Sequence, residues 1–96
     1  MDNPTIFSDG TMVWHNNELK RHREDGPAVT FINGCEQWYI DGKRHRKGGP
    51  AVVFPNGDRD WYIHGTLHYN NKSYQEAAGL SDEEMTMIIL KYGNIS

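Results

Sequence analysis

Apolar and polar positions alternate through two long stretches, "AVTFINGCEQWYI" and "AVVFPNGDRDWYI", each broken near its middle by an Asn-Gly pair. Alternation with a period of two marks strands with one buried face. Asn-Gly between such runs is the strongest short-range hairpin signal, because both central positions of a two-residue turn need positive φ. A turn centred on Asn33-Gly34 sets Val29 opposite Trp38, and puts Phe31, Trp38 and Ile40 on Val29's face. The later stretch gives Val52, Phe54, Trp61 and Ile63 one face in the same way. Glu36 and Arg59 fall on that face beside the turn, where a long side chain still reaches water. The pattern predicts a repeated Val/Phe/Trp/Ile stripe, with Tyr39 and Tyr62 exposed on the opposite face.

The two stretches belong to a longer repetition. Phe-x-(Asp/Asn)-Gly-x-x-x-Trp occurs as "FSDGTMVW", "FINGCEQW" and "FPNGDRDW", starting at Phe7, Phe31 and Phe54, with spacings of 24 and 23 residues. A second turn-like pair follows each tryptophan, in "HNNELKRH", "YIDGKRH" and "YIHGTLH", and each segment ends on a histidine: His22, His45 and His68. "REDGPAV" and "RKGGPAV" join the units. Proline has no N–H for a ladder and suits the first residue of a strand. The chain therefore reads as mainly β, an antiparallel meander of three hairpin repeats of about 23 residues. The repeats fall at about 5–26, 27–49 and 50–70 of a single domain spanning 1–96. One unit cannot bury its own apolar face, but stacked units can.

The tail departs from the repeat. After His68 comes "YNNKSYQEAAGLSDEEMTMIILKYGNIS", where Ser81 and Glu84 have capping-box spacing and Leu80 and Met85 are placed as a hydrophobic staple. Met85, Ile88, Ile89 and Tyr92 recur at helical spacing, and Gly93 is a stop signal. A shorter helical turn is expected over 73–78. The segment 71–96 thus predicts a C-terminal α-helix that caps the array.

Composition narrows the chemistry. Hydrophobic residues make up 36% of the 96, so the core is thin, and aromatics at 11% recur in register with the repeat. No apolar run reaches the roughly 18 residues of a spanning helix, and the first residues lack the pattern of a signal peptide. Cys35 is the only cysteine, so no internal disulfide forms. These features lead us to expect a cytoplasmic protein. The net charge of -3 gives no general attraction to nucleic acid or to anionic lipid.

The distribution of charge says more. Seven of the ten Lys and Arg residues lie between Lys20 and Lys47. Stacked units would set Lys20, Arg21 and Arg23 beside Lys43, Arg44, Arg46 and Lys47, a ridge suited to phosphate or to an acidic protein surface. The same residues would equally serve as a solvated edge that discourages strand aggregation. His22, His45 and His68 sit at least two strands apart, roughly 10 Å, too far to share one zinc. Each is expected to hydrogen-bond near its own turn. Trp14, Trp38 and Trp61 share the Val/Phe face and read as core rather than as a stacking platform. A helix-turn-helix reading of "EAAGLSDEEMTMIIL" would point Asp82, Glu83 and Glu84 at phosphates, the wrong sign for nucleic acid. No nucleophile-base set, phosphate loop or metal-ligand spacing is present, and nothing calls for a cofactor.

The period of about 23, with "DGKRH", a glycine-containing connector and "NG", resembles the MORN repeat over about Phe7 to His68. "WYIDGKRHRKGGPAVVFPNG" is most similar to the variant of phage and large-virus proteins in which "HREDGPA" recurs. The resemblance implies an elongated antiparallel sheet that works by binding, without catalysis. It also implies a small phage-type accessory protein that inhibits or sequesters a host protein. The binding residues expected from the sequence are Lys20, Arg21, Arg23, Tyr39, Lys43, Arg44, Arg46, Lys47 and Tyr62, with no catalytic or metal-binding residue. A binder of an anionic small molecule, nucleotide or nucleic acid through the basic ridge is the alternative. The open edge of such a sheet also leaves room for a homodimer.

Overall fold

A computed structural model describes residues 4–95. Ser96, the last residue assigned to the cap, lies outside the described residues. The strands are β1 (Thr5–Ile6), β2 (Met12–Val13), β3 (Val29–Thr30), β4 (Glu36–Gln37), β5 (Tyr39–Ile40), β6 (Lys43–Arg44), β7 (Val52–Val53), β8 (Arg59–Ile63) and β9 (Thr66–His68). Two helices follow, α1 (Asn71–Ala78) and α2 (Asp82–Tyr92). Seven strands form one antiparallel sheet in the order β1-β2-β3-β4-β7-β8-β9, and β5 and β6 form a hairpin between β4 and β7. The chain is a mainly antiparallel meander with a C-terminal helical region, and it measures 41 × 29 × 19 Å.

The first hairpin of each unit is built differently from the two-residue turn expected. Phe7, Phe31 and Phe54 each donate an N–H to the carbonyl four residues on and accept one from the glycine three residues on. The loops therefore hold three residues, and only the glycine takes positive φ, at 94°, 94° and 93°. Asp9, Asn33 and Asn56 accept the N–H two residues ahead through their side chains, at 2.9, 3.0 and 2.9 Å. That bond holds the Asx residue out of the left-handed region a two-residue turn would demand.

The register moves by one residue as a result. Val29 faces Gln37, not Trp38, and Val52 faces Asp60. A one-residue step exchanges the two faces of a strand, and the expected stripe does not hold. Val29, Val52, Trp61 and Ile63 are buried, whereas Trp38, Phe31 and Ile40 are half-buried and Phe7 and Phe54 are exposed. Tyr39, expected to be exposed, is 7% exposed and packs with Ala28 and Val29.

The tail folds largely as its signals dictate. Ser81 and Glu84 make the capping box in both directions, and Gly93 closes α2. The turn expected over 73–78 is a full helix, starting two residues earlier with the Asn70 side chain accepting the Ser73 N–H. Gly79 ends α1 at φ 68°. The Gly79 and Leu80 N–H groups reach back to Glu76 and Gln75, closing the last turn. Tyr74, Ala78, Met85, Ile88 and Ile95 pack on Trp61 and Ile63, with Leu80, Ile89 and Tyr92 around them. Among the described residues, no helix is long and apolar enough to cross a membrane.

Candidate interaction surface

Two-residue turns do occur, at the second pair of the second and third units, whereas the first unit closes a three-residue loop between Asn16 and Lys20 with Leu19 at φ 62°. Asp41-Gly42 has φ 50° and 81°, and His64-Gly65 has 49° and 84°, the paired positive values of a type I′ turn. Behind them runs a second backbone ladder. Gly42 and Arg23 donate to the Arg21 and Tyr39 carbonyls at 2.8 and 3.1 Å; one unit on, Gly65 and Arg46 donate to the Arg44 and Tyr62 carbonyls at 2.8 and 3.2 Å. β5 pairs with β6, placing Tyr39 opposite Arg44. The two basic segments are therefore not side by side. The Tyr39 strand lies between them, a separation of roughly 10 Å.

Histidines lock this ladder, but not within their own units. His22 Nδ1 accepts the Asp41 N–H at 3.0 Å, and His45 Nδ1 accepts the His64 N–H at 2.9 Å. Each histidine fastens its unit to the turn of the next. The His45 and His64 rings stack with centroids 4.4 Å apart. Burial, together with the charges of His64 and Lys47, holds His45 below the ordinary imidazole pKa. His68, with no following unit, meets the Ser73 hydroxyl at the start of α1. Among the described residues no three His, Cys, Asp or Glu side chains gather into a metal site.

The arginines divide into two kinds. Arg23 lies 4.3 Å from the Trp14 ring centroid and donates to the Pro27 carbonyl; Arg46 lies 3.8 Å from Trp38 and donates to the Pro50 carbonyl and the Tyr92 hydroxyl. A guanidinium over an indole face contributes about 0.5–2 kcal/mol, so these two clamp the unit junctions. Arg21 and Arg44 instead lie 5.4 and 5.3 Å from the Tyr39 and Tyr62 rings, and each donates to that tyrosine's hydroxyl. Of the nine residues expected to bind, Arg23, Arg46 and Tyr39 are engaged internally. Lys20, Arg21, Lys43 and Lys47 are exposed, and Arg44 and Tyr62 are half-buried.

The exposed cations are compensated unequally. Lys20 pairs with Glu18 at 3.6 Å and Arg23 with Asp25 at 3.2 Å. Among the described residues, Lys43, Arg44, Arg46 and Lys47 form no ion pair. Alignment of the two connectors carries the signal: Glu24 and Asp25 of the first stand where Lys47 and Gly48 stand in the second. The lysine stems lie flat along the ladder. A side-chain carbon added at Gly42 would meet the Lys20 stem at 3.6 Å, and one at Gly65 would meet the Lys43 stem at 3.7 Å. Lys47 borders a hollow of about 320 Å³ shared with His45, His64 and Glu76. No family model, no curated protein and no solved structure matches this chain.

Proposed function

We propose that the chain is a non-enzymatic protein-binding module, with Lys43, Arg44 and Lys47 at the centre of its working surface and Lys20, Arg21 and Tyr62 around them. The observation that carries this reading is the cluster of second-unit cations that form no ion pair among the described residues, set on a backbone ladder locked by His22 and His45. Fixed cations beside a tyrosine suit an acidic protein surface, since charges steer the encounter and the aromatic supplies contact area. The MORN-type resemblance supports binding over catalysis. It is also the support for a small phage-type accessory protein that inhibits or sequesters a host protein in the host cytoplasm. Both lysines are exposed, so Lys43→Glu with Lys47→Glu should leave the melting temperature near that of the parent. Pull-down from bacterial lysate should lose its specific protein with this variant, unchanged by nuclease. Bound material removed by nuclease, with affinity falling steeply in salt, would favour the anionic-ligand alternative.

A further inference from the structure

The meander stops at an edge that its own geometry marks as incomplete. Just after β4, Trp38 donates its N–H to the Ala51 carbonyl at 2.6 Å. Hydrogen-bonded pairs alternate along an antiparallel ladder, so Glu36 and Val53, two residues on, form the next bonded pair of that register. Position 36 of the second unit corresponds to Arg59 of the third. Phe54 donates to Asp58 at 2.8 Å and Val52 faces Asp60, which turns the Asp58 and Asp60 backbone groups toward β7 and the Arg59 groups away from it. β9 pairs with Trp61–Ile63 only. Among the described residues, no strand takes the Arg59 N–H and C=O.

The second ladder ends in the same way. The Arg44 carbonyl and the Arg46 N–H are taken by Gly65 and Tyr62 of the following unit. Their counterparts, the Leu67 carbonyl and the Tyr69 N–H, have no backbone partner among the described residues. α1 and α2 cover Trp61 and Ile63 from one face, and the end of α2 meets the Arg59 side chain through the Tyr92 carbonyl, while the Arg59 main chain takes no backbone bond among the described residues. A cleft of about 430 Å³ lies along it, between Gly57–Trp61, Leu67–Tyr69 and the tail at Asn94 and Ile95. Phe54 and the 72% exposed Tyr69 form its apolar rims.

We infer that this cleft is a docking site for one extended segment of a partner protein, added as a further antiparallel strand on β8. Pairing an extended peptide with a free sheet edge draws affinity from main-chain bonds and specificity from alternate side chains. The chain itself shows which segment fits. At the two equivalent junctions the occupant is Pro-Ala-Val, with Ala28 and Ala51 at 0% and Val29 and Val52 at 1% exposure. The partner segment is therefore small and apolar at those positions, with a proline at its start. The lining of the cleft contains none of Lys20, Arg21, Lys43, Arg44 and Lys47, and it adjoins the cationic surface only where Leu67 faces Tyr62.

The test uses the intact chain and a blocked synthetic peptide copying residues 46–56, "RKGGPAVVFPN". Binding should slow hydrogen exchange of the Arg59 amide, followed by NMR. A methyl group on the peptide nitrogen of Val53, whose N–H would meet the Arg59 carbonyl, should weaken binding about tenfold. The same group on Val52, whose N–H would point away from β8 in the docked peptide, should leave it unchanged. Equal affinity for both methylated peptides, or no binding at millimolar concentration, would overturn the inference. Sedimentation of the chain alone should show a monomer at the concentrations used. Head-to-tail association that itself protects the Arg59 amide would also overturn it, in favour of a second copy as the occupant. Lys43→Glu with Lys47→Glu should bind the peptide as the parent does, which separates this result from that of the cationic surface.

Discussion

Replacing Tyr74 by Phe tests how the helical cap is fastened to the repeats. Tyr74 is fully buried, edge-on to Trp61 with centroids 5.0 Å apart. Its one hydroxyl proton is shared between the Gly49 carbonyl, at 3.1 Å, and the Arg46 carbonyl. Phenylalanine keeps the ring and its packing, so the lost hydroxyl is the main change. It leaves two carbonyls of the second-to-third connector without that donor, a cost of about 1–3 kcal/mol for a buried group. A domain of this size loses roughly 4–8 °C in Tm per kcal/mol. Burial also raises the Tyr74 pKa from 10.0 to about 12. Because the folded value lies above the unfolded one, the folded state holds the extra proton between those limits. The stability tied to it is present below about pH 10 and is lost as pH rises toward 12. Urea unfolding of parent and Tyr74→Phe across pH 8–11 should therefore show curves that converge as pH rises. A variant that melts with the parent at neutral pH and parallels it at alkaline pH would refute the reasoning, since neither the bonds nor the burial would then matter.

Two further perturbations probe the junctions between units. Arg46→Lys should cost about 1–2 kcal/mol in thermal unfolding, because an ammonium cannot lie flat on Trp38 and also reach the Pro50 carbonyl and the Tyr92 hydroxyl; Arg23→Lys, which has no helix partner, should cost less. His45 binds its proton more weakly folded than unfolded, so its contribution is whole above about pH 6.5 and is lost as pH falls below that toward its depressed value. Urea titrations at pH 7.5 and 5 should show this loss in the parent and a smaller one in His45→Asn, which keeps an acceptor for the His64 N–H but carries no titrating group.

Local chemistry in the chain was enough for the units and the tail. Asn-Gly and Asp-Gly place the turns, the Gly-Pro pairs mark where connector strands begin, and Ser81 with Glu84 starts a helix that Gly93 stops. Each of these is decided by the φ preference or side-chain reach of residues within five positions, which is why a linear reading finds them. The candidate surface was only half legible. The run of basic residues is plain, but whether a given arginine faces water depends on what the next unit brings beside it. Arg23 and Arg46 are committed by Trp14 and Trp38 together with the connector carbonyls, whereas Arg21 and Arg44 lean on tyrosines eighteen residues away and stay at the surface.

The register shows the same divide within one hairpin. Asn33 could enter either turn, and its side-chain bond to the Cys35 N–H selects the three-residue loop, which moves every pairing by one and buries Tyr39. The alternation of the strand fixes that neighbours face opposite ways; only the assembled sheet decides which side is the inside. Tertiary packing likewise decides that the helices lie across Trp61 and leave the Arg59 main chain without a backbone partner among the described residues, because a buried tyrosine hydroxyl must find carbonyls and the connector at Arg46 and Gly49 supplies them.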